Sequence, residues 1–291
     1  MVCRALCLHG KGGDGMKGKS IKWPDGKRIA IMLAFDIDGE TLWMCRGMDH
    51  ITNFSRGRYS TLQAIPRILK MLEEEGVVAT FFTPAWIAEK YPGVIKEIAA
   101  QGHEIGYHGY LHEVFKNKED EDAQMERAEA IIEEITGSRP RGNRAPNGDV
   151  YDYSLGLWLE RGEIYSSNWR DSDGPFVHEL NGEKIPLVEV PKDSVLDDTA
   201  YDMYTECAPI HLNLRSGKEM TDVWREEFDA LAEENRMINF VMHPQFIGRP
   251  HNICHLRKLI QYMKENGAWF ATNSQVAEHV LKEEGLWQNY R

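Results

Sequence analysis

From residue 29 onward, short apolar runs alternate with stretches of helical period, and this alternation limits what the chain can become. Ile29 to Phe35, Val77 to Thr83, His103 to Tyr107, Ile185 to Val190, Ile238 to Met242 and Trp269 to Thr272 read as strands. Each is brief and apolar, as a buried strand must be. Between the first two, Ile65, Ile68, Leu69 and Leu72 recur at helical spacing and stop at Gly76. Further helices are predicted over residues 85–101, 119–136, 221–235 and 253–266, with another from about 274. Strands that alternate with helices pair in parallel, with the helices packed outside. No repeat and no long linker divides the 291 residues, so a single α/β barrel is expected. The Gly- and Lys-rich residues 1–27 read as an extension, and residues 28–291 as one domain.

In such barrels the reactive groups stand where strands end and loops begin. The first strand ends in Ala34-Phe35-Asp36-Ile37-Asp38-Gly39-Glu40. Asp and Gly favour turns, so a plain loop is one reading. If the extended form persists, however, Asp36 and Asp38 face the same space. Two carboxylates held together need a cation or a proton between them. After the third strand come His108 and His112, four residues apart. That separation puts both imidazoles on one face of a helical turn, and neutral imidazole ligates zinc and similar cations. One aspartate with these two histidines makes three protein ligands and leaves positions open, the pattern of a catalytic metal. Arg144 follows a short strand and is suited to orienting a carboxylate and keeping it ionised. His243 stands directly beyond the run Ile238 to Met242. The acidic segment Asp171-Ser172-Asp173-Gly174-Pro175 reads as a loop.

Bulk properties remove other classes. A formal net charge of −12 argues against a nucleic-acid partner and against an anionic membrane surface. No run approaches the roughly 18 apolar residues of a membrane span, and the N-terminus lacks an apolar signal core, so a cytoplasmic location is expected. Five sparse cysteines suit free thiols better than a disulfide framework. Residues Gly13 to Ser20 match the phosphate-loop pattern, but Pro24 and Gly26 would stop the helix that such a loop requires. Nucleotide binding is therefore set aside.

Phe35-Asp36-Ile37-Asp38, His108-x-x-x-His112, Arg144-Ala145-Pro146 and His243 occur in an order that resembles the polysaccharide deacetylase-like superfamily. They span residues 30 to 275, and together they are specific where each alone is not. Gly102 to Glu113, Val188-Glu189-Val190-Pro191, Leu196-Asp197-Asp198 and His243 to Pro250 look like the branch of peptidoglycan deacetylase-like proteins and cyclic imide hydrolases, with allantoinase-like members nearby.

The resemblance implies a distorted (β/α) barrel and a metal-dependent hydrolase of non-peptide C–N bonds. It makes Asp36 the general base and gives the metal to Asp38, His108 and His112. Arg144 then positions the base, and His243 is the general acid with Asp173, or Asp171, as its orienting partner. Zn2+ is the first metal expected, with Fe, Co, Ni or Mn also compatible with two histidines and an aspartate. The expected substrate is a small cyclic imide or ureide; the alternatives are an N-acetylated sugar or peptidoglycan fragment, and a non-catalytic metal-binding member of the fold. A homo-oligomer, often a tetramer, is also implied. One departure stands out: Ile37 separates two acids that the secreted deacetylases usually carry side by side. Trp43, Tyr107, Tyr110, Trp169 and Phe176 suit the wall of a small flat pocket, although core is the more frequent fate of such side chains.

Overall fold

The computed structural model describes residues 21–203 and 214–290. The phosphate-loop pattern of residues 13–20 and Cys3, Cys7 and Cys207 lie outside the described residues. Ile21 and Trp23, at the end of the expected extension, are buried against Ala30 and Met32.

Ten strands are found among the described residues: β1 Ile29–Met32, β2 Ala34–Asp36, β3 Thr80–Thr83, β4 Glu104–Tyr107, β5 Gly142–Asn143, β6 Tyr165–Ser166, β7 Phe176–Leu180, β8 Glu183–Glu189, β9 Met237–Asn239 and β10 Ala268–Phe270. They form two sheets with helices packed against them, in the orders β10-β1-β9 and β2-β3-β4-β5-β6-β8-β7. The two sheets meet along the first apolar run. Its leading half pairs with β10 and β9, and its trailing half with β3. Beyond β9 the chain stays beside it through a parallel bridge from Met242 to Phe35, and Val241 bridges to Asp197.

The mixed sheet departs from the all-parallel expectation at one place. β7 and β8 form an antiparallel hairpin closed by Asn181 and Gly182, both with positive φ, as a tight hairpin turn requires. The helix expected over 85–101 is broken into Ala85–Lys90 and Pro92–Ala100, because Pro92 disfavours helical geometry at Tyr91. A helix not read from the sequence, Ile51–Tyr59, runs through a wider turn at Ser60–Ala64 into the expected Ile65–Glu75, which stops at a left-handed Gly76. Its Gly57 lies against the loop after β2, and a Cβ there would sit 2.5 Å from the Glu40 nitrogen. Glycine at this position lets the helix press directly on the Asp38-Gly39-Glu40 backbone.

Burial follows the strand pattern. Ile29, Ile31, Leu33, Phe35 and Ile37 point one way into the larger core with Ile68, Leu72, Phe81 and Ile238. Ala30, Met32 and Ala34 point the other way, with Phe82, Tyr165, Val188 and Val276. A strand buried on both faces reads as continuous apolar sequence, which is why Ile29 to Phe35 shows no alternation. Trp43, Tyr107 and Phe176 are core residues. No helix of the described residues is long and apolar enough to cross a membrane.

Candidate metal centre and active site

Asp36, Asp38, His108, His112, Arg144 and His243 converge where β2, β4, β5 and the extension of β9 end. The main chain sets this up. Asp36 N–H donates to the Met242 carbonyl at 2.8 Å, and Ile37 N–H donates to Phe82 at 2.8 Å, so the aspartate loop is tied to the residue before His243 and to β3. Lys90 and Tyr91 anchor the end of that loop by donating to Glu40 Oε1 at 3.0 and 2.6 Å.

Asp38 is fully buried, and neither of its carboxylate oxygens has a hydrogen-bond partner among the described residues. Three imidazoles face it instead: His108 Nε2 at 3.3 Å and His112 Nε2 at 3.7 Å from Oδ1, and His243 Nε2 at 3.6 Å from Oδ2. Burial opposes its charge, but His112, His108 and His243 together hold Asp38 well below the usual carboxylate range. Burial drives His112 the other way, down to about 4, so it presents a neutral ring with a free lone pair. A buried carboxylate without hydrogen bonds and imidazole nitrogens aimed at it are the donor set of a divalent cation. Asp38, His108 and His112 are grouped closely enough to hold such an ion.

The histidine pair does not sit on a helical turn. Residues 108–115 form an irregular loop in which Gly109 and His112 adopt positive φ of 75° and 61°. A Cβ at Gly109 would lie 2.9 Å from Pro146 Cγ, so this loop closes over the Arg144-Ala145-Pro146 turn only with glycine there. The imidazoles meet edge to face, with centroids 5.0 Å apart, because the loop folds back rather than because of helical period.

Arg144 works twice. Its guanidinium is completely buried and donates from Nη1 to Asp36 Oδ1 at 2.7 Å. Its carbonyl accepts from His108 Nδ1 at 2.5 Å, which leaves Nε2 to face Asp38. Ser167 and Asn239 hold the rest of the guanidinium, with Nη2 3.0 Å from Ser167 Oγ and 3.2 Å from Asn239 Oδ1. Phe82 lies under it with the ring centroid 4.3 Å away. Burial again opposes ionisation of Asp36, and the charges of Arg144, His108 and His243 overcome it, so its pKa is lowered.

The carboxylate on His243 is Asp198, not Asp173. Asp198 Oδ1 accepts from Nδ1 at 2.7 Å, and Oδ2 accepts the His243 and Ile247 backbone N–H groups at 2.8 and 3.2 Å. Asp198 is delivered to this place by the bridge between Asp197 and Val241. Asp173 and Asp171 lie on an exposed turn, where the Asp173 carbonyl meets Met237 N–H at the start of β9, the end of that strand away from His243. Asp198 had one sequence signal, the stretch Leu196-Asp197-Asp198. Ser167 and Asn239 had none, since a serine and an asparagine gain meaning here only from the guanidinium between them.

Comparison with known proteins bears on this geometry. A family model described as polysaccharide deacetylase matches residues 51–160. A putative polysaccharide deacetylase of Mycobacterium smegmatis is 31% identical, with 92% of this chain and 95% of that one covered and a TM-score of 0.87. The chain belongs to the polysaccharide deacetylase family. Within that family it is also similar to the peptidoglycan deacetylase of Helicobacter pylori, 28% identical over 88% of this chain and 97% of that one. The solved structure of Puue allantoinase shares the fold at 23% identity, over 93% of this chain and 96% of that one, with a TM-score of 0.80. A metal-binding catalytic site of the family's type is thus present and the chain is an enzyme, with Asp38, His108 and His112 placed so that they could hold the ion.

Proposed function

We propose that this member of the family removes the acetyl group from an N-acetylated sugar, such as a peptidoglycan fragment, by hydrolysing its amide bond. One observation carries the hydrolytic reading: Asp36, beside the metal site, is held by Arg144 through Oδ1 alone, while His243 Nε2 faces the same space and its Nδ1 is engaged by Asp198. Of the two substrate classes expected from the sequence, the acetamide is supported better than the cyclic imide. The similarity to the peptidoglycan deacetylase of Helicobacter pylori runs through nearly the full length of both chains, whereas the likeness to allantoinase is one of fold.

Asp38, His108 and His112 would hold the divalent metal, with Zn2+ the first to test. When bound, it supplies Lewis acidity to the substrate carbonyl and to water. Asp36 takes the proton from the attacking water on Oδ2, the oxygen that Arg144 leaves free, as a general base. His243 donates a proton from Nε2 to the departing amine nitrogen as the C–N bond breaks. Acetate and a free amine are the products. Asp198 holds the imidazole with Nδ1 protonated and stabilises its cationic form; burial works against that charge, but the Asp198, Asp38 and Asp197 carboxylates push His243 up to about 10.

The test is a paired assay of Zn2+-loaded and chelator-treated protein on an N-acetylglucosamine oligomer, succinimide, hydantoin and allantoin. Zn2+-dependent acetate release is expected. Ring opening without acetate release would replace the deacetylase reading with that of a cyclic imide hydrolase.

A further inference from the structure

The two metal-site histidines are held from behind in different ways. A histidine that binds metal through one ring nitrogen is oriented by whatever accepts a hydrogen bond from the other. For His108 the acceptor is the Arg144 carbonyl. For His112, Nε2 faces Asp38 and Nδ1 lies 3.6 Å from the sulfur of Cys45.

The thiol is set to accept. Cys45 ends the short helix Thr41–Met44 that follows the Asp38 loop. Its S–H points to the Leu42 carbonyl at 3.5 Å, which turns the sulfur lone pairs away from that carbonyl. Sulfur is a weak acceptor, but it is the Cys45 sulfur that stands behind His112 Nδ1, where His108 Nδ1 has the Arg144 carbonyl. One loop-helix unit therefore grips His112 on both sides, with Asp38 before Nε2 and Cys45 behind Nδ1.

We propose that Cys45 is a positioning residue of the metal centre: it orients His112 through Nδ1–H···S and so sets how tightly the metal is held. Because Cys45 is exposed while His112 is buried, this support is open to solvent, and metal retention depends on an accessible thiol.

The inference rests on the metal site described above, and the experiment separates the two. The Zn2+ dissociation constant of the full chain is measured by chelator competition for wild type, Cys45→Ala and Cys45→Ser. The Co2+ absorption spectrum and the urea midpoint of the metal-free proteins are recorded alongside. Cys45→Ala is expected to bind Zn2+ about 10- to 100-fold more weakly and to shift the Co2+ bands, with an unchanged metal-free midpoint. Cys45→Ser should recover part of the affinity. Wild-type affinity and an unshifted Co2+ spectrum in Cys45→Ala would overturn the proposal. A loss of affinity that follows a fallen midpoint and is not recovered by serine would overturn it too. If the wild type itself binds no Zn2+, the metal reading fails and this inference falls with it.

Discussion

Two carboxylates in this protein are equally buried and differently furnished. Glu189, at the end of β8, is closed to solvent and has a partner in every direction. Ser166 Oγ and His178 Nε2, the latter at 3.1 Å, share Oε2, and the backbone N–H groups of Asn168 and Trp169 donate to Oε1 at 2.6 and 3.0 Å. The Asp38 carboxylate is also closed to solvent and receives no hydrogen bond from the described residues. A buried charge with its full set of hydrogen bonds organises the chain; one without them keeps its place for a ligand. Glu189 pins the loop that carries Ser167 beneath Arg144, so the satisfied carboxylate braces the site of the unsatisfied one.

The contrast can be broken at either end. The largest effect is expected from Asp38→Asn. Metal content by mass spectrometry and turnover should both fall to background, and the metal-free urea midpoint should move less than in any Glu189 variant, because no hydrogen bond is lost. Asp36→Asn should keep its metal and lose about 100- to 10,000-fold in kcat, the usual range for a general base; turnover near wild type would remove Asp36 from the chemistry. Glu189→Gln should do the reverse of Asp38→Asn. Its stability in urea should fall by about 3 kcal/mol, since removing one partner of a buried charged network leaves the others unpaired. Zn2+ affinity of the folded protein should stay within a few-fold of wild type.

His103 sharpens the comparison at its smallest scale. It is buried, and its ring nitrogens, like the Asp38 carboxylate, have no hydrogen-bond partner among the described residues. Burial lowers its pKa from 6.5 to about 4, so it escapes the cost by remaining neutral, where Asp38 remains charged. Between these two values the unfolded chain binds a proton that the folded chain does not, so the His103 contribution to stability is lost as pH falls from 6.5 to 4. His103→Phe should flatten that part of the urea-midpoint profile. An unchanged slope would mean that His103 is protonated in the folded protein.

Much of the fold was legible because strand and helix signals are local. Glycine stops at Gly76 and Gly137 mark helix ends, and both adopt left-handed geometry. The helix at Ile51–Tyr59 was not legible, since its side chains are mostly exposed or half-buried and carry no apolar stripe. For the site, sequence position alone sets Asp36, Asp38, His108 and His243 at the ends of apolar runs, because a buried strand must be apolar and must end. It offered Asp173 or Asp171 as the partner of His243 where the structure has Asp198, and it could not show that His112 turns back on a left-handed residue toward Cys45. Those outcomes depend on which loops meet: Asp198 and His243 are brought together by the bridge from Asp197 to Val241, and Cys45 and His112 by the packing of two loops around one buried carboxylate. A hydrogen bond reaches about 3 Å in space and carries no trace along the chain, so the strand ends belong to the sequence and the partners of their side chains to the tertiary structure.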